Sequence, residues 1–574
     1  MKKLILSTML FVSLVVNAQH TNEAIASGYW NGYNTWYGNL FYNNAATDVT
    51  VIDNGVTVVQ NIPTVYTKEI TFYGNGEIIL RGNNEIKFLG SAANVTGSNI
   101  IDDVAVDFSN AITTKTLSGF LQGLTNYPTF PTVAVTAPLK PGLMRQWDTI
   151  KYHASNAIND GVKVHMCAGD HYQRSSHNYI APALTPPSAY LDNLDLLLDW
   201  GYNNGLPRPN IVWECWNEPN FYKFWTPGDV EVTKTENRHL SLENDVSYWA
   251  PKKKEEFFET YKVFYHRVYD KLGASAKVAG PSIGTFNAQY LKEFFDYCLL
   301  NDLEVNVVTW HEIDYAFGDH LGDRTKIPYI PISSIKGHVD YIRTNFMNNP
   351  AYSKLKIETI EINEIVNYRY RTNPAAGASY LDALERAGVA SAAKACWEEP
   401  GTPAHCCNAC DSDTFNHLFV HNTHEPTAAY WLYKYYADGV AGRVSTVKAN
   451  EDSAVLSSKN VPAFAASANH PQISVGQVLF GYYSFGEENT PAPAAGVFDF
   501  TLNNISAIVG SSTTCYITIK KIANTNAESA SLPVTDAVYS NYPVSIVYGT
   551  VFLQLPVEKD ALYQLIISQV PIQL

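Results

Sequence analysis

The feature of this sequence that most constrains its fold is an alternation of short apolar runs with longer amphipathic stretches between residues 100 and 440. Such an alternation is typical of βα units arranged around a parallel sheet. The clearest helix repeats large apolar side chains at spacings of three and four, namely Phe257, Tyr261, Phe264, Val268 and Leu272. Gly273 then ends it. This part of the chain is therefore predicted to have an α/β fold.

Eight strand candidates occur in this region. They span residues 104–108, 132–135, 162–165, 211–214, 277–280, 305–309, 357–363 and 394–397. Eight strands with helices between them predict a (β/α)8 TIM barrel, here assigned to residues 99–445. The functional groups of such barrels lie at the C-terminal ends of the strands, so these ends are where catalytic residues are expected.

Both flanks of the barrel region are predicted to be all-β. From residue 19 to 98, short alternating runs such as 85–88 are separated by Asn-Gly and Gly-Asn pairs, which indicates a small unit that loosely resembles a few rungs of a β-solenoid. We interpret it as a structural cap, with glycan binding as the alternative. Helical periodicity disappears after about residue 445, and runs such as 551–555 predict a C-terminal β-sandwich over 446–574 that packs on the barrel.

The N-terminus has the pattern of a secretory signal peptide. Lys2 and Lys3 precede an apolar run over 4–16, and small residues lead to a predicted cleavage site after Ala18. The run is shorter than the roughly 20 residues that a membrane-spanning helix needs. We therefore predict residues 1–18 to be removed and the protein to be secreted or periplasmic, without membrane insertion.

Composition narrows the class of partner. A formal charge of −15 argues against nucleic acid, which requires a clustered basic surface. Aromatic residues make up 13% of the chain, which favours carbohydrate, although aromatic-rich cores explain the same number. Oligomeric state is not predicted.

Half of the eight cysteines crowd one stretch: Cys396, Cys406, Cys407 and Cys410. In an exported protein this clustering favours disulfides, with a metal site as the alternative. The pairing cannot be deduced from the sequence.

Two carboxyl groups follow strand candidates that face each other across an eight-stranded barrel. Glu218 lies just past the fourth strand, in Trp-Asn-Glu-Pro-Asn at 216–220, and Glu364 ends the seventh. Cleavage of a glycosidic bond needs one group that protonates the leaving oxygen and another that stabilises or attacks the anomeric carbon. The sequence therefore predicts this pair as catalytic, against the alternative of surface carboxylates or structural ion pairs.

Neighbouring carboxyl groups are potential rivals of these two. Period-two alternation in the seventh strand places Ile360, Ile362 and Glu364 on one face and Glu361 on the other. We therefore expect Glu364 to point to the barrel mouth and Glu361 to face the helix layer. Glu214 lies within the fourth strand rather than in the loop after it, which favours Glu218.

The segment 216–220 resembles the Trp-Asn-Glu-Pro signature of glycoside hydrolase clan A, whose members carry the acid/base after strand four and the nucleophile after strand seven. The best match is the neighbourhood of glycoside hydrolase family 39. It is carried by Val-Thr-Trp-His-Glu at 308–312, Ile-Asn-Glu at 362–364 and Ala-Tyr-Trp-Leu-Tyr-Lys at 429–434. The resemblance covers residues 100–440 and extends faintly into the C-terminal region.

This resemblance implies a retaining mechanism with Glu218 as acid/base and Glu364 as nucleophile. It further implies that Asn217 binds the sugar 2-hydroxyl, that His311 lies beside the nucleophile and that Trp397 forms the platform under the cleaved sugar. One departure is Gln122, where related enzymes often carry histidine; it points to a different sugar in the catalytic subsite.

Three further residues are predicted to contact the nucleophile or the substrate. Arg145 is expected to orient the nucleophile or a substrate hydroxyl, with a loop-anchoring role as the alternative. His165 is expected to line the sugar pocket unless it is a core histidine with satisfied partners. Trp225 is expected to form a stacking subsite unless it packs within its loop.

The sequence thus predicts a secreted retaining glycoside hydrolase that acts on oligo- or polysaccharides of plants or algae. Exo-action like that of a β-xylosidase and endo-action like that of an agarase or porphyranase both remain open. No cofactor or metal is expected, because acid, base and nucleophile all come from the protein. The competing hypothesis is a non-catalytic glycan-binding protein that keeps the barrel.

Overall fold

The computed structural model describes most of the barrel and of the C-terminal region and the strands of the N-terminal unit. The described residues are 21–24, 28–29, 49–52, 57–60, 64–67, 69–72, 77–80, 85–88, 95–96, 100–112, 116–121, 130–147, 158, 161–168, 188–203, 210–220, 251–313, 334–366, 373–395, 414–439, 443–448, 459–460, 463–469, 474–484, 495–525 and 529–573. In this part of the chain, no helix combines the length and the apolar character that crossing a membrane requires.

A closed barrel of eight parallel strands forms the centre of the molecule. Its strands are β1 (Gly119–Leu121), β2 (Leu143–Trp147), β3 (Lys163–Cys167), β4 (Ile211–Glu214), β5 (Lys277–Ile283), β6 (Val307–Ile313), β7 (Thr359–Val366) and β8 (Ser391–Lys394). Each strand pairs in parallel with the next, and β8 pairs with β1. The predicted (β/α)8 fold is confirmed.

Helices surround the barrel and bury its outer face. They are α1 (Ser188–Asn203), α2 (Pro251–Leu272), α3 (Ala288–Leu300), α4 (Ser334–Ile342), α5 (Pro374–Ala387) and α6 (Ala428–Asp438). A π-helical turn over Arg343–Met347 and a 3-10 turn over Pro350–Leu355 follow α4. The ends of α5 show the local chemistry: the Asn373 side chain accepts a hydrogen bond from Ala376 N, and Gly388, with φ of 69°, ends the helix.

The first two strand candidates were wrong. Residues 104–108 belong to the long strand Ile100–Ile112, which pairs with Arg443–Lys448 and Ala495–Asn503 in the C-terminal sheet. Residues 132–135 lie mostly in a short helix, Val133–Thr136, that continues into the 3-10 turn Ala137–Leu139. A β-branched run indicates a pleated, half-buried surface only where a neighbouring strand is available, and its sequence does not specify which sheet it joins.

The strand that opens the barrel was missed because it is short and begins with a glycine. A Cβ on Gly119 would overlap the carbonyl oxygen of Ala392 in β8 and would lie 3.0 Å from the Cβ of Leu143 in β2. Glycine is therefore required here by the close approach of β8 to β1.

We expect Gly119→Ala to lower the free energy of unfolding by about 1–3 kcal/mol, because backbone of β8 would have to move. Urea-induced unfolding measures this change. The matched control is Gly337→Ala in the exposed part of α4, where a Cβ meets nothing within 4 Å. The control should be neutral or stabilising by up to about 1 kcal/mol. Equal stability of the two variants would show that β1 has room for a side chain.

The C-terminal region is a ten-stranded sheet with one apolar core. Its strands include Ala463–Asn469, Ser474–Gly481, Thr514–Ile522, Val534–Thr535, Tyr542–Ser545, Val551–Glu558 and Leu562–Ser568. Phe480 and Phe498 lie on strands that are four places apart in the sheet, yet their ring centroids are 5.2 Å apart. Since neighbouring strands are about 4.8 Å apart, the sheet must fold over on itself, which is consistent with the predicted sandwich.

This sheet packs on the barrel, as predicted. Gln477 Nε2 donates a hydrogen bond to the carbonyl oxygen of Tyr435 in α6 at 2.8 Å. Trp431, also in α6, donates through its indole nitrogen to the carbonyl oxygen of Ser531. The last helix of the barrel therefore forms the contact surface for the C-terminal sheet.

The N-terminal unit consists of short strands in three small sheets. The first sheet contains Thr21–Ala24, Val49–Ile52 and Glu69–Phe72; the second contains Gly28–Tyr29, Thr57–Gln60 and Glu77–Leu80; the third contains Thr64–Thr67, Glu85–Phe88 and Val95–Thr96. All pairs are parallel except the last, between Glu85–Phe88 and Val95–Thr96. Partners in successive rungs lie about twenty residues apart, which is the arrangement of a parallel β-solenoid.

Candidate active site

The two predicted catalytic carboxyl groups meet at one imidazole at the barrel mouth. His311 Nδ1, from β6, lies 3.1 Å from Glu218 Oε1 and 3.6 Å from Glu364 Oε2. Those two oxygens are therefore no further apart than the sum of these distances. All three side chains are almost completely buried. The fold thus brings together the carboxyl groups that follow strand four and end strand seven, as the sequence predicted.

The backbone around Glu218 is held by the next strand of the barrel. Glu218 N donates to the carbonyl oxygen of Ser282 at 3.0 Å, and Asn220 Oδ1 accepts from Gly284 N at 2.7 Å. Glu218 has a φ of 52°, in the left-handed region, which costs a non-glycine residue on the order of 1 kcal/mol. The contacts with the end of β5 maintain this backbone conformation and with it the direction of the Glu218 side chain.

The expectation for Glu361 was wrong. Its carboxylate contacts Lys163 and His165 of β3, on the opposite side of the barrel, and accepts from Ser391 of β8, so it points into the barrel interior. Ile360 and Ile362 instead join the apolar core shared with the helices.

A β-bulge explains how Glu364 also reaches the mouth. Trp310 of β6 pairs with Ile362, but the next residue, His311, pairs with Glu364, so that Asn363 is an extra residue on β7. The extra residue shifts the alternation by one position. Glu361 and Asn363 point inward below the bulge, and Glu364 points inward above it.

Arg145, at the C-terminal part of β2, connects the nucleophile candidate to strand four. Its Nη1 donates to Glu364 Oε2 at 3.0 Å, its Nη2 donates to Asn217 Oδ1 at 2.8 Å, and its Nε donates to Glu214 Oε1 at 3.1 Å. Nη2 makes a further short contact with Glu214. The guanidinium therefore uses its planar set of donors on three partners and lies in the orienting position beside Glu364.

Glu214 is the buried counter-charge of Arg145. Burial alone would raise the pKa of Glu214, but the positive charge of Arg145 and the hydrogen bond with His165 outweigh it and lower the pKa to about 2. Asn363 Nδ2 also donates to Glu214 Oε2 at 2.7 Å. Glu214 is thus an ionised structural carboxylate, which agrees with its exclusion as the acid.

Asn363 and Glu361 are site residues that the sequence reasoning missed in these roles. Asn363 donates to Ser282 Oγ at 3.0 Å as well as to Glu214, so it ties β7 to β5 and β4 across the barrel. The available signal was the run Glu-Ile-Asn-Glu at 361–364, in which three polar residues of four break a strict alternation.

His165 lies inside the barrel below the mouth. Its Nε2 is 2.9 Å from Glu361 Oε2 and its Nδ1 is 3.7 Å from Glu214 Oε2. This placement matches the alternative interpretation of a core histidine with polar partners rather than the sugar pocket. Burial lowers the pKa of His165, but the hydrogen bonds to Glu214 and Glu361 dominate and raise it.

Several predicted residues lie outside the described part of the chain. These are Trp397, Trp225 and Gln122, together with the cluster Cys396, Cys406, Cys407 and Cys410. The four described cysteines, Cys167, Cys215, Cys298 and Cys515, are buried free thiols.

Fold and site together define a (β/α)8 barrel with a buried carboxyl pair at the ends of strands four and seven. Solved structures of similar fold include the N2152 protein of Neocallimastix frontalis, with 17% identity and a TM-score of 0.57, over 82% of this chain and 100% of that chain. A GH39 enzyme of Xanthomonas axonopodis pv. citri matches with 13% identity and a TM-score of 0.54, over 82% and 97%. A glucosidase of Croceicoccus marinus matches with 10% identity and a TM-score of 0.52, over 82% and 100%.

At these identities the likeness is one of fold. Comparison with protein-family models finds no match, and neither does comparison with curated protein sequences. The predicted resemblance to the neighbourhood of glycoside hydrolase family 39 is confirmed at the level of the fold, since one of the similar structures is a GH39 enzyme.

Proposed function

We propose that this protein is an exported retaining glycoside hydrolase, with Glu218 as the acid/base and Glu364 as the nucleophile. The observation that carries the proposal is the meeting of both carboxyl groups at His311 Nδ1, at 3.1 and 3.6 Å. A pair held about 5–5.5 Å apart permits direct attack on the anomeric carbon, whereas about 6.5–9.5 Å leaves room for a water molecule and gives inversion. Two oxygens that share one nitrogen support the closer arrangement.

The environments of the two carboxyl groups suit different roles. Glu364 accepts a hydrogen bond from the guanidinium of Arg145, which favours its ionised form as a nucleophile requires. The printed contacts of Glu218 are with His311 and, through its backbone, with Ser282, and no cation of Arg145's kind appears among them. Different surroundings for two carboxyl groups are how one fold maintains an acid and a base at the same pH.

The reaction proceeds in two displacements. In the first, Glu218 gives its proton to the glycosidic oxygen while a Glu364 oxygen bonds to the anomeric carbon, and the bond to the leaving alcohol breaks. In the second, Glu218, now a carboxylate, takes a proton from water; the water oxygen bonds to the anomeric carbon and the bond to Glu364 breaks. Both carboxyl groups return to their starting states, and the product keeps the configuration of the substrate.

The substrate class is proposed from the sequence and from the company of the fold. Oligo- or polysaccharides of plants or algae are the proposed substrates, attacked either from chain ends, as by a β-xylosidase, or internally, as by an agarase or porphyranase. Export is proposed from the N-terminal pattern of residues 1–18. The proposed domain limits, 19–98, 99–445 and 446–574, change in one respect, because the strand Ile100–Ile112 belongs to the C-terminal sheet.

The test is a hydrolysis screen of the wild type against β-linked aryl glycosides and a panel of plant and algal polysaccharides, with NMR of the anomeric proton in the first product. Retention is expected. Glu218→Ala should slow substrates with poor leaving groups by about 10²–10⁴-fold and dinitrophenyl glycosides much less in the first step, because these need no acid. Added azide should restore turnover of the variant and give a glycosyl azide of retained configuration.

Two outcomes would count against the proposal. Inverted product from the wild type would remove the nucleophile assignment. Binding of a glycan by wild type and variant alike, without hydrolysis of any substrate in the screen, would favour the glycan-binding alternative.

A further inference from the structure

The interior of the barrel contains a row of alternating charges that ends at the proposed nucleophile. In order from the N-terminal end of the barrel, the row consists of Lys163, Glu361, His165, Glu214, Arg145 and Glu364. Lys163 Nζ lies 2.6 Å from Glu361 Oε1, and each later member contacts the next within 3.7 Å. Only the Lys163 side chain is appreciably exposed, at 30%; the others are 0–1% exposed.

The charge balance of this row depends on His165. Three carboxylates face two permanent cations, Lys163 and Arg145, so a neutral His165 would leave one negative charge uncompensated in a buried site, which is costly. Both imidazole nitrogens face a carboxylate oxygen, one from Glu361 and one from Glu214. A neutral imidazole can donate from only one nitrogen, whereas an imidazolium donates from both.

The charged groups around His165 come from four strands. Glu361 comes from β7, Glu214 from β4, Lys163 from β3 itself and Arg145 from β2. The raised pKa of His165 agrees with the two carboxylates outweighing the two cations at this position.

We propose that His165 is maintained as an imidazolium by Glu361 and Glu214, and that this charge makes it a positioning residue for Glu364. This inference rests on the proposed function for its consequence but not for its first step. With His165 charged, the row is neutral: Glu214 stays ionised, and Arg145 stays shared between Glu214 and Glu364. Without that charge, the surplus negative charge raises the pKa of the carboxylates in the row, including the nucleophile.

The first step is tested without any substrate, by NMR of the full-length protein labelled with ¹³C and ¹⁵N in its histidine rings. The protein has 15 histidines, and the signal that disappears in His165→Gln belongs to His165. Both ring nitrogens should be protonated at pH 7. In Glu361→Gln the titration midpoint should fall by about 1–3 pH units, because a contacting opposite charge is removed. A neutral His165 at pH 7 in the wild type would overturn the inference.

The consequence is tested by the pH dependence of kcat/KM for the aryl glycoside that the wild type hydrolyses fastest. His165→Gln should move the acid limb up by about one pH unit, the size of one buried charge acting at short range. The double variant His165→Gln/Glu361→Gln removes one charge of each sign, so its acid limb should return to that of the wild type. A packing role would instead give losses that add in the double variant.

A matched control is His338→Gln. His338 is also buried and lies 2.8 Å from a buried carboxylate, that of Glu312, but has no printed contact with the row. Its acid limb should stay in place. If His165→Gln does not fold while the double variant does, charge balance is supported; if neither folds, charge balance is not the reason for His165.

The outcomes separate this inference from the proposed function. A protonated His165 whose midpoint falls in Glu361→Gln, in a protein that hydrolyses nothing, would leave the charged row standing and refute the enzyme. Hydrolysis with retention and an acid limb unchanged in His165→Gln would leave the enzyme standing and refute the role of the row.

Discussion

Glu364→Ala is expected to abolish hydrolysis, with kcat/KM reduced on the order of 10⁵- to 10⁶-fold. The reason is that the variant lacks the only group proposed to bond to the anomeric carbon, and removal of a covalent nucleophile has costs of this size. Steady-state rates on the best aryl glycoside of the screen measure the effect. Added azide should restore turnover and give a glycosyl azide of inverted configuration, because azide then attacks from the side where Glu364 stood.

The configuration of that azide product distinguishes the two carboxyl groups. Inversion in Glu364→Ala together with retention in Glu218→Ala assigns nucleophile and acid/base independently of any rate. The control is Glu358→Ala, an exposed carboxylate just before β7 that pairs with Lys277, which should leave the rate unchanged. Substantial activity of Glu364→Ala without azide would contradict the assignment.

Arg145→Met is expected to have the largest effect on stability, with a loss of about 3–5 kcal/mol in the free energy of unfolding at pH 7. Arg145 is fully buried and is the cation that contacts both Glu214 and Glu364, so the variant leaves two buried carboxylates without it. Breaking a buried ion pair by removing one partner costs about this much. Urea titration at pH 7 measures it, and residual activity should be very low because Glu364 loses its orienting donor.

The pH dependence gives this prediction its sign. Glu214, whose pKa is about 2 in the folded protein, contributes stability above the ordinary carboxyl range that is lost as the pH falls toward 2. In Arg145→Met the carboxylates can take up protons at low pH, so the gap between wild type and variant should narrow from pH 7 to pH 4.

The matched control is Arg267→Met. Arg267 pairs with Asp195 between α2 and α1, but both side chains are about two-fifths exposed, so the expected change is about 0–1 kcal/mol. Equal losses for Arg145→Met and Arg267→Met, or a gap that does not change with pH, would show that the buried pair is not what stabilises this part of the barrel.

The C-terminal half of the barrel was predictable because each of its strands is a local apolar run followed by a helix with its own periodicity. Candidates at 211–214, 277–280 and 357–363 overlap β4, β5 and β7. The first two strands were not predictable in this way. Gly119–Leu121 has no β-branched residue and depends on contact with β8, whereas 104–108 has a strong strand pattern but pairs with segments more than 300 residues later.

The sequence by itself determined the carboxyl pair. Glu218 and Glu364 stand at fixed positions after strand patterns that are local in the chain, and the geometry of a parallel barrel directs strand ends to one mouth. Tertiary structure alone decided which other polar side chains point inward. The bulge at Asn363 arises from the register between β6 and β7, and it reverses the direction that alternation predicts for Glu361. The row from Lys163 to Glu364 exists only because pairing across the barrel places charges from β2, β3, β4 and β7 in contact. Such contacts depend on register and on burial, neither of which a local pattern of residues specifies.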